Sequence, residues 1–132
     1  MSLRPGLSAR VRLVVGEDDT ALALGSGDVP VLATPRLVAL CEQATCEAVA
    51  AALEPGETTV GTKVELTHLV ATPVGVLVTA EATLTAVDQR KLTFAVSAMG
   101  PAAPVAVGHV WRSVVDRERF VARAQTKVEE RG

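Results

Sequence analysis

Aromatic residues are the scarcest class in this chain of 132 residues. The sequence has no tyrosine, and its three aromatic side chains are Phe94, Trp111 and Phe120. Proteins that bind single-stranded nucleic acid stack bases on aromatic rings, and receptors for cationic ligands enclose them in aromatic cages. The net charge of −2 also provides no excess of lysine and arginine for a phosphate backbone. We therefore expect no nucleic-acid partner.

Long apolar runs are absent as well. No apolar stretch reaches the roughly 18 residues that a transmembrane helix needs. The first twelve residues contain Pro5 and three arginines where a leader peptide would have an apolar segment. We expect a cytoplasmic protein without a membrane partner.

Cysteine is represented only by Cys41 and Cys46. On a helix, this spacing of five residues turns the two side chains about 140° apart around the axis, so we expect no disulfide between them. Two cysteines without a cluster of further cysteines and histidines also make no zinc site. We interpret both as small buried residues in a reducing compartment and expect no metal ligand.

Aliphatic residues dominate what remains. Hydrophobic residues make up 48% of the chain and charged residues 21%. This balance, with no internal repeat or linker, predicts one compact domain over residues 1–132.

The hydrophobic pattern of the first half predicts a strand followed by a long helix. Apolar residues alternate over residues 7–15, and residues 21–24 are interpreted as a short second strand. Thr34 and Pro35 have the pattern of a helix start, with a capping hydroxyl before a proline in the first turn. The predicted helix runs through residues 37–53, and its apolar stripe is rich in alanine, which favours a helix wrapped by a sheet.

After residue 60 the apolar period changes to two. It predicts four consecutive strands joined by short turns, an antiparallel meander, with even-numbered residues facing inward in the first three strands and odd-numbered residues in the last. Asp116 is expected to cap a closing amphipathic helix over residues 117–130. One long antiparallel sheet curled around an apolar helix is the α+β hot-dog fold, in which two sheets commonly pair side by side.

Three polar side chains interrupt apolar surroundings and are candidates for chemistry. Thr34 begins the helix, Glu42 follows eight residues later on nearly the same side, and His68 lies on a strand face predicted to point inward. Each also has an ordinary explanation: a helix cap, a solvent-exposed helix position and a hydrogen-bonded core histidine, respectively. The helix separates Thr34 from Glu42 by about 12 Å, so a loop or a second subunit would have to bring the groups together.

Short motifs with a characteristic order extend over nearly the whole chain. They are Ala33-Thr34-Pro35, Leu40-Cys41-Glu42-Gln43-Ala44, residues 53–57, Val60-Gly61-Thr62, residues 64–73, Gly108-His109-Val110-Trp111-Arg112 and the helix with Phe120. In this order and spacing they resemble the fluoroacetyl-CoA-specific thioesterase family of hot-dog proteins.

The resemblance implies an acyl-CoA thioesterase that hydrolyses a small or medium acyl thioester to free acid and CoA. Thr34, Glu42 and His68 match the catalytic threonine, glutamate and histidine of that family. Gly61 matches a glycine near the acyl group, and Arg112 falls near a family arginine. The resemblance further implies an active site between the subunits of a homodimer, which in turn can form a tetramer, and no cofactor beyond the coenzyme A of the substrate.

The residue types suit thioester hydrolysis, which needs a nucleophile or activated water, a proton carrier and donors for the oxyanion. Glu42 fits the role of nucleophile or base, and the sequence leaves a covalent acyl-enzyme and an activated water as alternatives. Thr34 would donate a hydrogen bond and His68 would activate water. Gly61 and Thr62 leave room for a backbone N–H to reach the carbonyl oxygen.

One segment departs from the family pattern. Where the family has a longer stretch with an aromatic lid over the acyl group, residues 25–32 read GSGDVPVL and contain no aromatic residue. We therefore expect a different acyl group, held in a more open pocket lined by valine, leucine and alanine.

Two other functions were compared with hydrolysis. The resemblance to enoyl-CoA hydratases would require an aspartate five residues before a histidine. Here Lys63 stands five residues before His68, and Pro104 stands five residues before His109, which disfavours a hydratase. A non-catalytic hot-dog dimer that binds an acyl thioester or another small apolar ligand is the second alternative. His109 itself is expected to be a core or interface residue.

Overall fold

A five-stranded antiparallel sheet curls around one long helix in a computed structural model that describes residues 2–131. The strands are β1 (Ser8–Val14), β2 (Glu57–His68), β3 (Leu77–Asp88), β4 (Lys91–Met99) and β5 (Pro104–Asp116). The helices are α1 (Ala21–Leu24), α2 (Thr34–Val49) and α3 (Arg117–Arg131), with 3-10 turns at Glu17–Asp19 and Ala50–Ala52. The predicted α+β hot-dog architecture is confirmed; the two ends of the predicted domain, residues 1 and 132, lie outside the described residues.

The strand order is β1-β3-β4-β5-β2. Strands β3, β4 and β5 form the predicted meander, but β2 pairs with β5 at the far edge instead of with β3. The prediction of four consecutive neighbours is therefore wrong for β2. The two strands that flank α2 in sequence, β1 and β2, occupy opposite edges, and the helix between them crosses the face of the sheet.

The core lies between α2 and the concave face of the sheet. From α2 it receives the fully or almost fully buried side chains of Leu37, Leu40, Cys41, Ala44, Thr45, Ala48 and Val49. From β3 and β4 it receives the predicted even-numbered positions Val78, Ala80, Ala82, Leu84, Leu92, Phe94, Val96 and Ala98. Burial of each large aliphatic side chain contributes roughly 1.5–3 kcal/mol, so this contact fixes α2 firmly against the sheet.

The strand predicted at residues 21–24 is wrong, because these residues form the short helix α1. The hydroxyl of Thr20 accepts a hydrogen bond from Ala23 N–H at 3.2 Å, and Gly25 ends the helix with a φ of 73°. A stretch of four apolar residues is too short for its period to distinguish helix from strand, so the flanking cap and glycine determine the outcome.

The inward faces of β2 and β5 also differ from prediction. A β-bulge between Gly61 and Lys63 shifts the alternation of β2 by one residue, so Gly61 pairs with the buried Arg112. In β5 the odd-numbered Val105 at the start is buried as predicted, but from there on the even-numbered side chains are the buried ones, Ala106, Val110, Arg112 and Val114. Because valine and small residues occur on both faces of β5, the two faces differ little in hydrophobicity and the sequence does not identify the inward one. His109 is exposed, with its ring 5.9 Å from that of Trp111, so the core alternative is wrong for it and the interface alternative stays a prediction.

Both cysteines are free, and their environments differ. Cys41 is buried, and burial, with a smaller effect of the charge on Glu42, raises the pKa of its thiol to about 11. Cys46 is exposed, so the prediction that both are buried is wrong for it. Among the side chains that the structure describes within residues 2–131, no group of three or more from histidine, cysteine, aspartate and glutamate could hold a metal ion. Across the same range, no helix has the length and apolar character to cross a membrane.

Candidate active site

Thr34 and His68 meet where α2 begins and β2 ends. Thr34 Oγ1 and His68 Nδ1 are 2.7 Å apart and share a hydrogen bond. The predicted capping role of Thr34 is wrong, because the N-cap is Ala33 and Thr34 is already the first helical residue. The hydroxyl is therefore directed to the imidazole, and Pro35 next to it removes one of the N–H groups that a cap would satisfy.

The second ring nitrogen of His68 is the unusual atom of this pair. His68 Nε2 is buried and has no hydrogen-bond partner among the described residues. Buried polar atoms in proteins are paired in the large majority of cases, so a fully hydrogen-bonded core histidine does not describe this residue. An imidazole that is held through Nδ1 and has no partner at Nε2 retains the capacity of that nitrogen for one further hydrogen bond.

A cleft of about 390 Å³ lies beside this pair. Thr34 and His68 form its polar wall, and the rest comes from α1, from the segment that follows it and from the residues after β2. The apolar lining is aliphatic and includes Val29, Val31, Leu69, Val70 and Ala71. Among the described residues, no phenylalanine or tryptophan lines it, in agreement with the sequence of residues 25–32.

Glu42 lies two turns further along α2, on the side that faces β2. Its Oε2 accepts a hydrogen bond from Arg112 Nη1 at 3.3 Å, and 34% of its side chain is exposed. Glu47, by contrast, is exposed and accepts a hydrogen bond from Gln43 on the same helix. Glu42 is therefore not simply a solvated position of the helix.

Gly61 provides the space that the Glu42 carboxylate occupies. A Cβ atom added at Gly61 would lie 2.5 Å from Glu42 Oε2 and 3.4 Å from Arg112 Nη1. A side-chain Cβ atom and an oxygen atom that are not bonded to each other do not approach as closely as 2.5 Å, so any larger residue at position 61 would displace the Glu42 carboxylate. Glycine at this position brings β2 and α2 into close contact around the acidic group.

Arg112 is almost fully buried and holds this cluster together. Its Nε donates to Thr59 Oγ1 at 2.9 Å and its Nη2 to Thr59 O at 3.0 Å, while Nη1 reaches Glu42. In this structure its hydrogen bonds therefore go to protein acceptors. Thr62, in the bulge, is exposed and donates its hydroxyl to Trp111 O at 3.2 Å.

Sequence reasoning missed two residues that shape the site, Thr59 and Asp19. Thr59 anchors Arg112, and no motif marks it. Asp19 accepts hydrogen bonds from Gly16 N–H and Arg36 Nε, both at 2.8 Å, and its backbone oxygen accepts from Ala33 N–H. The Gly16 bond lowers the pKa of Asp19 below its usual value against the opposing effect of burial, and Arg36 lowers it further. Asp19 thus fixes the residues before Thr34.

Within one protomer the candidate residues form two groups. Thr34 and His68 belong to the first, and Glu42, Gly61 and Arg112 to the second. The helix rise between Thr34 and Glu42 is about 12 Å, so the separation expected from the sequence holds.

Comparisons with known proteins place this chain and its architecture in one family. The model of the family described as fluoroacetyl-CoA-specific thioesterase, FlK, matches residues 15–118. A fluoroacetyl-CoA thioesterase of Streptantibioticus cattleyicolor is 40% identical over 97 residues, which are 74% of this chain and 70% of that protein.

Solved structures agree with the sequence comparison. A structure of the fluoroacetyl-CoA thioesterase FlK superposes with a TM-score of 0.90 at 34% identity, covering 96% of this chain and 98% of that one. A thioesterase superfamily member of Thermus thermophilus superposes with a TM-score of 0.88 at 25% identity, covering 97% of this chain and 94% of that one. The chain therefore belongs to the fluoroacetyl-CoA-specific thioesterase family of hot-dog proteins.

Proposed function

We propose that this thioesterase hydrolyses acyl-CoA with small or medium aliphatic acyl groups, at a site that two copies of the chain complete. Membership of the family makes thioester hydrolysis the activity. The observation that carries the proposed site is the buried, unpaired Nε2 of His68, which is held through Nδ1 by Thr34 and lies beside an aliphatic cleft.

The second copy is needed because the two groups of candidate residues lie apart within one protomer. Strand β2 forms an edge of the sheet and has 12 residues, so one side of its backbone is free to pair. Antiparallel pairing of β2 with β2 of a second copy, about a two-fold axis near the middle of the strand, would bring Gly61 and Glu42 toward His68 and Thr34 of the second copy. The symmetry produces two such sites per dimer.

In this arrangement Glu42 is the group that starts the reaction. Its carboxylate either takes a proton from the attacking water or itself attacks the thioester carbonyl carbon. Arg112 and Gly61 fix the carboxylate, and the Thr34 hydroxyl and a backbone N–H near Gly61 and Thr62 would donate to the developing oxyanion. The new C–O bond replaces the C–S bond, and the proton of the water ends on the sulfur of CoA. The products are the free acid and CoA-SH, and coenzyme A enters only as part of the substrate.

The lining of the cleft supports an aliphatic acyl group. Val29, Val31, Leu69 and Val70 offer apolar contacts without a ring that would close over a two-carbon unit. Each methylene buried against them contributes about 0.8 kcal/mol of binding. We therefore expect longer or branched acyl chains to be hydrolysed with a higher kcat/KM than acetyl or fluoroacetyl thioesters.

Thiol release from a panel of short, branched, aromatic and long acyl-CoAs tests the proposal. Glu42→Gln keeps the shape of the side chain and should lower kcat by about 10²- to 10⁴-fold, because it removes the base or nucleophile. The matched control is Glu47→Gln, which changes an exposed glutamate on the same helix and should hydrolyse like the parent. Equal turnover by Glu42→Gln and the parent would contradict the role of Glu42. Binding of acyl-CoA by calorimetry without thiol release would instead favour a non-catalytic binding protein.

A single turnover in ¹⁸O-labelled water tests a covalent route through Glu42. An acyl-enzyme leaves label in the Glu42 carboxylate when water attacks the carbonyl carbon of the glutamyl group, so label in Glu42 identifies a covalent intermediate. Attack of water on the acyl carbon, whether in the thioester or in an acyl-enzyme, leaves Glu42 unlabelled and puts the label only in the acid product. Peptide mass spectrometry after one turnover reads the difference.

A further inference from the structure

An arginine-lined cleft lies where β5 passes into α3, away from the acyl cleft. It has a volume of about 240 Å³, and Arg90, Arg119, Arg123, Asp116 and Phe120 form its charged and aromatic lining. Three guanidinium groups meet the carboxylate of Asp116 and that of Glu57, which pairs with Arg90, so the cleft has an excess of positive charge although the chain as a whole is slightly negative. Such a cleft is a candidate site for an anion with several oxygen atoms.

Two of the three arginines in this cleft lack an ion-pair partner among the described side chains. Among the side chains that the structure describes, no carboxylate lies within ion-pair distance of Arg119 or Arg123. These two arginines are four residues apart on one helix face, where like charges repel and destabilise the helix. Asp116 caps the same helix, since its Oδ1 accepts the Arg119 backbone N–H at 2.9 Å. Arg90 uses its Nη1 to bind Glu57 and Val114 O, both at 3.3 Å.

A second groove lies between the hydrogen-bond partners of this cleft and those of Glu42. It has a volume of about 500 Å³, runs between the end of α2 and the start of β2, and includes Thr59, Glu57 and Arg117 in its lining. At one end, Thr59 is bound to Arg112, the partner of Glu42. At the other end, Glu57 is bound to Arg90 of the arginine-lined cleft.

The distance matches the linker of coenzyme A. Four residues of β5 separate Arg112 from Asp116, which corresponds to about 13 Å along the strand. The pantetheine arm has about as many chain bonds as four residues of extended peptide and so spans roughly the same length. A thioester held near Glu42 therefore has its phosphate groups within reach of the arginines.

We propose that the arginine-lined cleft binds the phosphate groups of the coenzyme A part of the substrate, with the pantetheine arm in the second groove. This inference rests on the proposed function. Arg119 and Arg123 supply donors for phosphate oxygens, together with the nitrogens of Arg90 that Glu57 does not engage. The ring of Phe120 is 44% exposed and offers one surface on which the adenine base stacks.

The test compares two thioesters of the same acid, one with CoA and one with N-acetylcysteamine, which lacks the phosphates and the base. In Arg119→Glu/Arg123→Glu, KM for the acyl-CoA should rise at least about tenfold, because attraction of phosphate is replaced by repulsion. The kcat/KM for the N-acetylcysteamine thioester should stay within about twofold of the parent. Lys127→Glu changes a cation on the same helix outside the cleft and should leave both substrates near the parent values.

Two outcomes would overturn the inference. One is an unchanged KM for acyl-CoA in the double variant. The other is an equal loss of kcat/KM with both thioesters, which would mean that the two arginines stabilise the fold and do not bind phosphate. Failure of the proposed function has a different signature, because the parent would then release thiol from neither substrate. In that case, calorimetry with CoA alone still decides the inference, since at least tenfold weaker binding by the double variant than by the parent supports it and equal binding contradicts it. Thermal unfolding of the double variant checks that it is folded.

Discussion

At the scale of single residues, the position of the Glu42 carboxylate depends on a charged neighbour and on a neighbour without a side chain. Arg112 binds its carboxylate, and Gly61 leaves the carboxylate its space. We propose that Arg112 is a positioning residue, because its hydrogen bonds run to Glu42 and Thr59. Since it is almost fully buried, we expect it to affect hydrolysis through the placement of Glu42.

We predict that Gly61→Ala reduces kcat/KM by on the order of 100-fold, because the added methyl group displaces the Glu42 carboxylate from the reacting position. Steady-state thiol release measures the loss. Gly100→Ala is the control, since its added Cβ would meet Val105 Cγ2 at 3.3 Å, far from Glu42. The melting temperature of Gly61→Ala should stay close to that of the parent, as β2 lies at the edge of the sheet. Parent-like hydrolysis by Gly61→Ala would show that the close contact has no part in the reaction.

At the scale of secondary-structure elements, the start of α2 depends on the turn before α1. Asp19 in that turn binds Arg36 of the first helical turn, and its backbone oxygen accepts the Ala33 N–H. These contacts hold Ala33 in place as the N-cap and so leave the Thr34 hydroxyl free to bind His68. The turn therefore supports the site although its described side-chain hydrogen bonds go to other residues.

We predict that Asp19→Asn lowers stability by about 1 kcal/mol near neutral pH, which corresponds to several degrees in melting temperature. The pKa of Asp19 is lowered in the folded chain, so its stabilising effect is complete above the unfolded value, near 3.8, and is lost as the pH falls through the folded value. The difference in melting temperature between parent and variant should therefore be largest near pH 6 and shrink below about pH 4.

Thermal unfolding followed by circular dichroism between pH 3 and pH 7 measures that difference. Asp18→Asn, which changes the exposed neighbour, should show a much smaller difference at all pH values. A difference in melting temperature between Asp19→Asn and the parent that does not change with pH would refute an ionic origin of the stabilisation by Asp19.

The elements that the sequence predicts well are those whose two faces differ. In α2, β3 and β4, apolar and polar residues alternate with a clear period, and the buried residues are largely those expected. In β5, valine and alanine lie on both faces, so its inward face could not be identified. In β2, the bulge changes the face of every residue before it, and bulges have no reliable sequence signal.

The candidate site was predictable only in part for the same reason. Thr34, Glu42 and His68 follow from the motifs and lie at positions that allow the proposed chemistry. The contact of Arg112 with Thr59 joins residues 53 positions apart and depends on the register between β5 and β2. Because the odd-numbered face of β5 was predicted to point inward, the sequence also did not indicate that Arg112 points inward.

At the scale of the whole molecule, the proposal requires that one protomer supply Glu42 and another supply His68. A complementation experiment tests this directly. Glu42→Gln and His68→Ala should each be inactive alone, but a mixture of their subunits should regain about a quarter of the parent activity, because half of the dimers are mixed and each mixed dimer has one intact site. Thiol release after joint refolding or co-expression measures the recovery.

Mixing Thr34→Val with His68→Ala is the matched control. Both changes fall in the same group of residues, so every site in the mixed dimer carries a defect and activity should stay low. Absence of recovery in the first mixture, with mixed dimers demonstrated by mass spectrometry, would place the complete site within a single protomer.

The bulge in β2 has a consequence for insertions and deletions. Gly61 and His68 are seven residues apart, an odd spacing that would turn them to opposite faces of an uninterrupted strand. The extra residue of the bulge places both on the concave face. Loss or gain of a single residue in this stretch would turn either Gly61 or His68 to the opposite face of the sheet. A change of residue type inside the bulge would leave both on the same face. In an alignment of relatives, a gap of one residue between these two positions would therefore mark a chain that has lost the site even if every candidate side chain is still present.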